Sequence, residues 1–243
     1  TVSTTEQWAP PLVGRDDALN GLRDALGRLT TGKGGLVLLE GPGGIGRTRL
    51  LEAALAAAEP MGFGLQRIDF RKRLPTLEAT ARMLARLLSS CEASADSPAL
   101  REEVLQLQGS EGEARREPIR TLDTARSVYP QALEGGAQVL AIDDLHLAQT
   151  SEIELFIGLL KSMVLTERRP LLVIASLRER ASDAAIQRIE SLDDELHVDR
   201  IGIGPLTAND LLALVSNLLG PTRSAQQLAE RLAIETEGNP LYV

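Results

Sequence analysis

Residues 41–48 of the chain read Gly41-Pro42-Gly43-Gly44-Ile45-Gly46-Arg47-Thr48. This stretch follows the spacing G-x-x-x-x-G-K-[ST], with an arginine at the lysine position. The apolar run 36–39 before it predicts a strand buried on both faces, and the Ala- and Leu-rich run 49–58 after it predicts a helix. A strand, a glycine loop and a helix in succession favour a phosphate-binding loop over a plain Gly-rich turn.

The residue types of this loop suit the chemistry of a nucleotide triphosphate. Glycines let the backbone wrap the phosphates with its N–H groups pointing inward, where a Cβ would obstruct the approach. Thr48 would place its hydroxyl on Mg²⁺, and Arg47 would neutralise the terminal phosphates. Because a guanidinium is planar and bulkier than an ammonium, Arg47 either keeps binding while misplacing charge, or blocks the γ-phosphate position. The predicted nucleotide contacts of the loop are Gly41, Gly43, Gly44, Ile45, Gly46, Arg47, Thr48 and Arg49.

Two further strands are predicted to end in polar residues. The apolar run 139–142 ends in Asp143 and Asp144. In a protein with a phosphate-binding loop, Asp143 would hold the Mg²⁺ shell, and Asp144 would act catalytically by accepting a proton from the attacking water. The alternative is a capping Asp pair. The run 171–175 leads to Arg178, which either senses the γ-phosphate as a catalytic residue or is an ordinary solvated strand exit.

Buried strands alternate with helices along the chain, which predicts an α/β fold: a P-loop NTPase with a parallel sheet flanked by helices, followed by a small helical lid. We expect an N-terminal tail over residues 1–11, a nucleotide-binding domain over 12–204 with a flexible insert at 92–118, and a truncated lid over 205–243. The remaining predicted elements are helices at 16–29, 76–90, 152–165, 208–219 and 224–236, a strand at 63–70, and a short strand around Ile201 and Ile203.

Composition narrows the function classes. The chain has 34 acidic against 26 basic residues, a net charge of -8 and only 2% aromatic residues. This composition argues against direct nucleic acid binding by this segment, because a surface that binds nucleic acid is basic or offers aromatic side chains on which bases stack. We interpret the basic run from Arg71 as a solvated edge in preference to a phosphate site. A single cysteine, Cys91, excludes an internal disulfide, and no apolar run is long enough to span a membrane, so we expect a cytoplasmic protein.

The ordered set of motifs resembles the AAA-type ATPase domain of the signal-transduction ATPases with numerous domains. Besides the glycine loop and the Asp pair, the set comprises Leu12-Val13-Gly14-Arg15, Gly204-Pro205-Leu206 and Gly238-Asn239-Pro240-Leu241. The resemblance implies that Gly14 and Arg15 lie beside the adenine or ribose, that Asp143 and Asp144 form the Walker B pair, and that Pro205 helps the lid close over ATP or ADP. It further implies other domains of the same longer chain as partners, and nucleotide-dependent homo-oligomers.

Three departures from the family pattern separate two functional hypotheses. Arg47 replaces the lysine, Leu147 and Gln149 replace an aromatic residue and an acid, and Ala175-Ser176-Leu177-Arg178 replaces Gly-Thr-Tyr-Arg. The first hypothesis is an ATP-binding regulatory switch module of a larger bacterial signalling or transcription-regulatory protein, with weak or absent hydrolysis. The second is a non-enzymatic interaction scaffold that no longer binds nucleotide. A kinase would need a lysine at position 47.

Overall fold

The structure, a computed structural model, describes residues 11–72, 136–166, 170–178, 187, 189, 192 and 196–243. The predicted helix 76–90, the predicted insert 92–118 and nearly all of the predicted tail 1–11 lie outside these residues.

In the part of the chain that the structure describes, five parallel strands form one sheet in the order β2-β3-β4-β1-β5. Their bounds are β1 Gly35–Gly41, β2 Gly64–Asp69, β3 Gln138–Asp143, β4 Leu171–Arg178 and β5 Val198–Gly202. Strand β1 lies between β4 and β5, and the glycine loop follows its carboxyl end directly. The last strand was predicted around Ile201 and Ile203, where apolar residues alternate. In the structure it begins earlier, because pairing with β1 starts at Val198.

The sheet is buried on both faces, and successive residues of β1 show this. Leu36 and Leu38 join one apolar cluster, while Val37 and Leu39 join the cluster on the opposite face. All four are at most 2% exposed. Because side chains alternate along a strand, a continuous apolar run suits a strand covered by helices on both sides.

Within the described residues, three helices pack on these two faces. They are α1 Asp16–Thr30, α2 Arg47–Ala58 and α3 Thr150–Leu160, which continues as a π-helical segment Lys161–Thr166. Helices α1 and α2 pack on the Val37 face, while α3 packs on the other through Ile153 and Phe156. Helix α2 begins inside the glycine motif, two residues earlier than its composition suggested.

Two C-terminal helices, α4 Ala208–Leu219 and α5 Arg223–Thr236, pack against each other and are called the lid helices below. Thr207 caps α4 in a reciprocal arrangement: its hydroxyl accepts from the Asp210 N–H, and the Asp210 carboxylate accepts from the Thr207 N–H. The predicted fold class is confirmed, whereas the predicted domain boundaries stay predictions. Within the described part of the chain, no helix is long and apolar enough to cross a membrane.

Candidate functional site

The glycine loop adopts a conformation that its glycines make accessible. Gly44 and Gly46 have φ values of +78° and +103°, which L side chains rarely adopt. Gly46 precedes the first residue of α2, and among the described residues no side chain caps this helix. The N–H groups at the start of a helix make this end electropositive, which is the environment that binds anions at other helix N-termini.

Arg47 folds back over the loop from which it starts. Its guanidinium donates to the carbonyl oxygen of Gly41, to that of Pro42 at 3.2 Å, and to Oδ1 of Asp144 at 3.0 Å. The Arg47 and Asp144 side chains are only 9% and 11% exposed, so this ion pair is largely shielded from water. The residue at the lysine position and the predicted proton acceptor thus neutralise each other.

Asp143 is the most enclosed acid of the site, with 0% exposure. Its Oδ1 accepts from the Ser176 hydroxyl at 2.8 Å and from the Thr48 hydroxyl at 3.2 Å. Its Oδ2 accepts from Arg71 at 3.0 Å and from Arg67 at 3.2 Å. An ionised carboxylate offers about four lone-pair sites, and four protein donors approach this one.

Arg71 is anchored beside this carboxylate by Asp69, the last residue of β2. Its Nε and a terminal nitrogen donate to the two Asp69 oxygens, each at 3.2 Å, and its backbone N–H donates at 3.0 Å. The hydrogen bond to Asp69 raises the pKa of Arg71, with burial opposing and the charges of Asp143 and Asp144 assisting. Arg71 remains exposed, as the interpretation of a solvated edge expects, but the pairing of β2 with β3 also brings its guanidinium to Asp143 and Asp144.

The same guanidiniums act on the pKa of Asp69. Burial would raise this pKa, but the hydrogen bonds from Arg71, together with the charges of Arg71 and Arg67, lower it overall. Arg67 is held on its other side by Glu52 of α2 at 3.0 Å. Two oriented guanidiniums therefore flank the carboxyl ends of β2 and β3.

Ser176 joins the two acids. Besides donating to Asp143, its hydroxyl accepts the backbone N–H of Asp144 at 2.7 Å. This contact helps to hold Asp144 at φ 53°, a left-handed conformation that is uncommon for residues other than glycine. Ser176 is wholly buried, so these two hydrogen bonds replace the hydration that its hydroxyl loses.

His146 lies beside the Arg47–Asp144 pair. Its Nδ1 is 3.8 Å from Oδ1 of Asp144, and among the described residues this buried nitrogen has no hydrogen-bond partner. Burial lowers the pKa of His146, with the positive charges of Arg47 and Arg178 acting in the same direction and Asp144 opposing. His197, in contrast, is 60% exposed, and its Nε2 lies 3.3 Å from Oδ1 of Asp199.

Arg15 connects the glycine loop to the start of the lid. Its guanidinium donates to the Ile45 carbonyl at 3.0 Å and to the Gly204 carbonyl at 2.9 Å. Burial lowers its pKa, against the charge of Asp210. A Cβ on Gly14 would lie 2.2 Å from Cγ of Asp210, so Gly14 permits a close approach of the lid.

The lid also touches the loop directly. Asn239 donates from its side chain to the Gly43 carbonyl at 3.0 Å, and a Cβ on Gly44 would lie 2.6 Å from Cβ of Leu241. Pro205 packs at the same junction, where the Leu206 N–H donates to the Gly238 carbonyl at 2.8 Å. The glycine loop, the segment at Pro205 and Leu206, and the end of the lid therefore form one connected set of contacts.

The remaining predicted site residues lie at the same end of the sheet. Arg49 is in the first turn of α2, and Arg178 ends β4 in register with Gly41. The structure thus brings the loop, the Asp pair, Arg15 and Pro205 together. Their predicted roles in binding and catalysis stay predictions.

Thr48 and Asp143, the predicted magnesium ligands, lie close together, but the oxygens of Asp143 already accept hydrogen bonds from protein donors. Thr48 and Asp143 share a hydrogen bond, so they are as close as a common metal shell requires. Mg²⁺ demands octahedral oxygen ligands, directly or through water, and the lone-pair sites of Asp143 are already taken by two hydroxyls and two guanidiniums. In this arrangement the residues do not fit a magnesium ion held through Asp143. Among the described residues, no group of three or more His, Cys, Asp or Glu side chains is arranged to hold a metal.

Sequence reasoning missed the roles of Arg67, Ser176 and His146. A signal existed for Arg67, because a charged residue inside a predicted strand of the sheet needs a partner. Ser176 lay at the correct sheet end, but its two contacts depend on the pairing of β3 with β4. His146 follows the Asp pair directly, yet only the turn Leu145–Leu147 brings it back toward Asp144.

Comparisons with known proteins bear on this arrangement. A family model described as AAA ATPase domain matches residues 11–174. No curated protein matches the chain in sequence. The solved Aeropyrum pernix ORC2 protein in ADPNP-ADP complexes is similar with a TM-score of 0.61 and 14% identity, over 98% of this chain and 62% of that one.

Two further solved structures are similar in fold. The Aeropyrum pernix ORC1 protein in complex with DNA has a TM-score of 0.60 and 16% identity, over 98% of this chain and 59% of that one. A chain of the E. coli MS115-1 HORMA:CdnC:Trip13 complex has a TM-score of 0.56 and 18% identity, over 90% and 74% of the two chains. This chain spans about three fifths of the length of the ORC structures. At these identities the likeness concerns the fold alone.

Proposed function

The chain belongs to the AAA ATPase domain family, and from this premise we propose that it is an ATP-binding regulatory switch module with weak or absent hydrolysis. Its ligand is ATP or ADP, whose phosphates lie in the glycine loop from Gly41 to Thr48, with Arg49 in the adjoining helical turn. The adenosine part lies toward Gly14, Arg15 and Pro205. The AAA ATPase membership and the uncapped start of α2 support this placement.

The observation that carries the proposal is the shielded ion pair between Arg47 and Asp144. Phosphates entering the loop carry the negative charge that Arg47 needs, so they compete with Asp144 for its guanidinium. As long as the pair persists, Oδ1 of Asp144 is engaged by Arg47. Binding therefore exchanges one partner of Arg47 for another, whereas turnover requires in addition that the released Asp144 accept a proton.

A change at Arg47 has a path to the lid. Arg47 donates to the carbonyls of Gly41 and Pro42, and the next carbonyl, that of Gly43, accepts from Asn239 at the end of the lid. If the glycine loop rearranges around phosphate, the Gly43 carbonyl moves, and with it the hydrogen bond that Asn239 of the lid donates to this carbonyl. This coupling of nucleotide state to lid position is the switch that we propose.

The proposed setting is a larger bacterial signalling or transcription-regulatory protein in the cytoplasm. Its proposed partners are other domains of the same longer chain and further copies of the chain, with which it forms homo-oligomers when nucleotide is bound. Although one similar structure, that of ORC1, contains DNA, the net charge of -8 supports no direct nucleic acid binding by this segment. Arg178 is proposed to sense the terminal phosphate from the end of β4.

The test is calorimetric titration of ATP and of ADP into the chain and into Arg47→Lys, with hydrolysis measured in parallel. Lysine keeps the charge but is a compact point charge, so we expect both proteins to bind and the variant to hydrolyse ATP faster. Arg231→Lys is the matched control, because Arg231 lies on the exposed surface of α5, with its side chain 76% exposed. We expect this control to bind and hydrolyse as the parent does.

The scaffold hypothesis is the other outcome of the same experiment. A ligand that binds only the folded state adds about 2.7 kcal/mol of stability at a hundredfold excess over its dissociation constant. If neither protein shows binding heat or stabilisation at millimolar nucleotide, the switch proposal fails for this chain. The buried guanidinium of Arg47 would then be a permanent plug of the loop.

A further inference from the structure

The feature that the proposed function leaves unused is the pair of arginines on the far side of Asp143. Arg67 and Arg71 approach Oδ2 of Asp143, whereas Thr48 of the glycine loop contacts Oδ1. The two guanidiniums are thus separated from the loop by the width of one carboxylate group.

The acids at the carboxyl ends of β2 and β3 already have positive partners without a cation. Arg47, Arg67 and Arg71 contact Asp69, Asp143 and Asp144, and Arg67 also contacts the exposed Glu52 of α2. A divalent cation placed here would lie within a few ångströms of two guanidiniums, in a partly dry site where like charges repel strongly. The phosphates of a nucleotide bring the opposite charge and relieve that repulsion.

The two arginines are placed to reach phosphate. Their side chains are 32% and 48% exposed, so neither is locked into the core. Each also donates to a second acid, Arg67 to Glu52 and Arg71 to Asp69, which restrains the orientation of the guanidinium. A planar guanidinium binds phosphate oxygens in pairs, which an ammonium or a hydrated cation does not do in the same geometry.

We propose that Arg67 and Arg71 bind the terminal phosphate of the nucleotide in the place of a magnesium ion, so that this chain binds ATP and ADP without a divalent cation. The inference rests on the proposed nucleotide binding and assigns its charge neutralisation to these two side chains. Asp143 serves to position the arginines and Thr48, and it does not act as a metal ligand.

The experiment measures the dissociation constants of ADP and ATP in excess EDTA and in excess MgCl₂. For the parent chain, we expect the constants in the two media to agree within about threefold, a difference of less than 1 kcal/mol. Titration of MnCl₂ alone, followed by its paramagnetic resonance, is expected to show no bound metal in the site. Binding that is tenfold or more tighter with MgCl₂ overturns the inference, as does a stoichiometric metal site in the absence of nucleotide.

Two variants test the residues themselves. Arg71→Gln and Arg67→Gln each remove one charge-assisted contact, so each is expected to weaken binding in EDTA by about tenfold or more. The control is Arg231→Gln, which removes an exposed guanidinium of α5. Unchanged binding of both site variants in EDTA also overturns the inference. A circular dichroism spectrum and an unfolding midpoint for each variant separate loss of binding from loss of fold.

The outcomes separate this inference from the proposed function. If the parent chain binds nucleotide only with MgCl₂, nucleotide binding stands and the arginine inference fails. If it binds in neither medium, the nucleotide switch itself is refuted, and the inference falls with it. Equal binding in both media, lost in EDTA on Arg71→Gln, supports both.

Discussion

Removing the hydroxyl of Ser176 tests whether this side chain holds the two acids together. Ser176 is wholly buried at the end of β4, donates to Asp143 and accepts the backbone N–H of Asp144. Ser176→Ala removes both contacts and leaves a shape that alanine nearly fills. The effect on stability therefore comes mainly from hydrogen bonding.

The size of the loss follows from the two groups that lose a partner. A hydrogen bond to a charged group contributes about 1.5–3 kcal/mol, and a buried N–H left without a partner costs about 1–3 kcal/mol. Asp143 retains three other donors, so we take the lower end of the first range for the hydrogen bond that it loses. We therefore expect Ser176→Ala to reduce the free energy of unfolding by about 3 kcal/mol.

Urea denaturation, followed by circular dichroism, measures this change. The matched control is Ser224→Ala, because Ser224 is an exposed serine at the start of α5, and its loss should stay within about 0.5 kcal/mol. A loss below about 1 kcal/mol for Ser176→Ala would refute the bridging role, since one unsatisfied buried group alone costs that much. We also expect weaker nucleotide binding, because Asp144 loses the contact that supports its left-handed backbone.

Further changes have defined outcomes. Gly44→Ala forces a side chain onto a φ of +78° and against Leu241, so we expect at least about 1 kcal/mol of lost stability by urea denaturation and weaker nucleotide binding by calorimetry. Because burial lowers the pKa of His146, the unfolded chain binds its proton more readily, and stability should fall as pH drops from about 6.5 toward the lowered value. His146→Gln should flatten that part of the stability–pH curve, and an unchanged slope would contradict the assignment. Thr207→Ala removes the cap of α4 and should cost about 1 kcal/mol in urea denaturation, with little effect on nucleotide binding.

The fold was largely predictable because its signals are local. The glycine spacing of residues 41–48 and the continuous apolar runs of β1, β3 and β4 place the strands, the loop and the following helix in order. Alternation of buried strands with helices then leaves few arrangements apart from a parallel sheet. Strand β5 was predicted less well, because its partly exposed residues leave a weaker apolar pattern.

The candidate site was predictable in its backbone and in residue type, but not in its contacts. The Asp pair and the glycine loop could be assigned to one sheet edge, since the carboxyl ends of parallel strands meet there. Which acid each arginine meets could not be inferred. Arg47 and Asp144 are separated by 97 positions, and Arg71 and Asp143 by 72.

The sequence by itself determined the membership of the AAA ATPase domain family, the order of the described elements and the presence of an arginine where a lysine is usual. These depend on glycines, apolar periodicity and short motifs, which act through neighbours in the chain. Only the tertiary structure decided that Arg47 pairs with Asp144, that Arg67 and Arg71 donate to Asp143, and that Asn239 donates to the glycine loop. The physical reason is that a long charged side chain can reach several acids. Strand register and burial decide which of them it contacts, and both are set only when distant segments of the chain pack together.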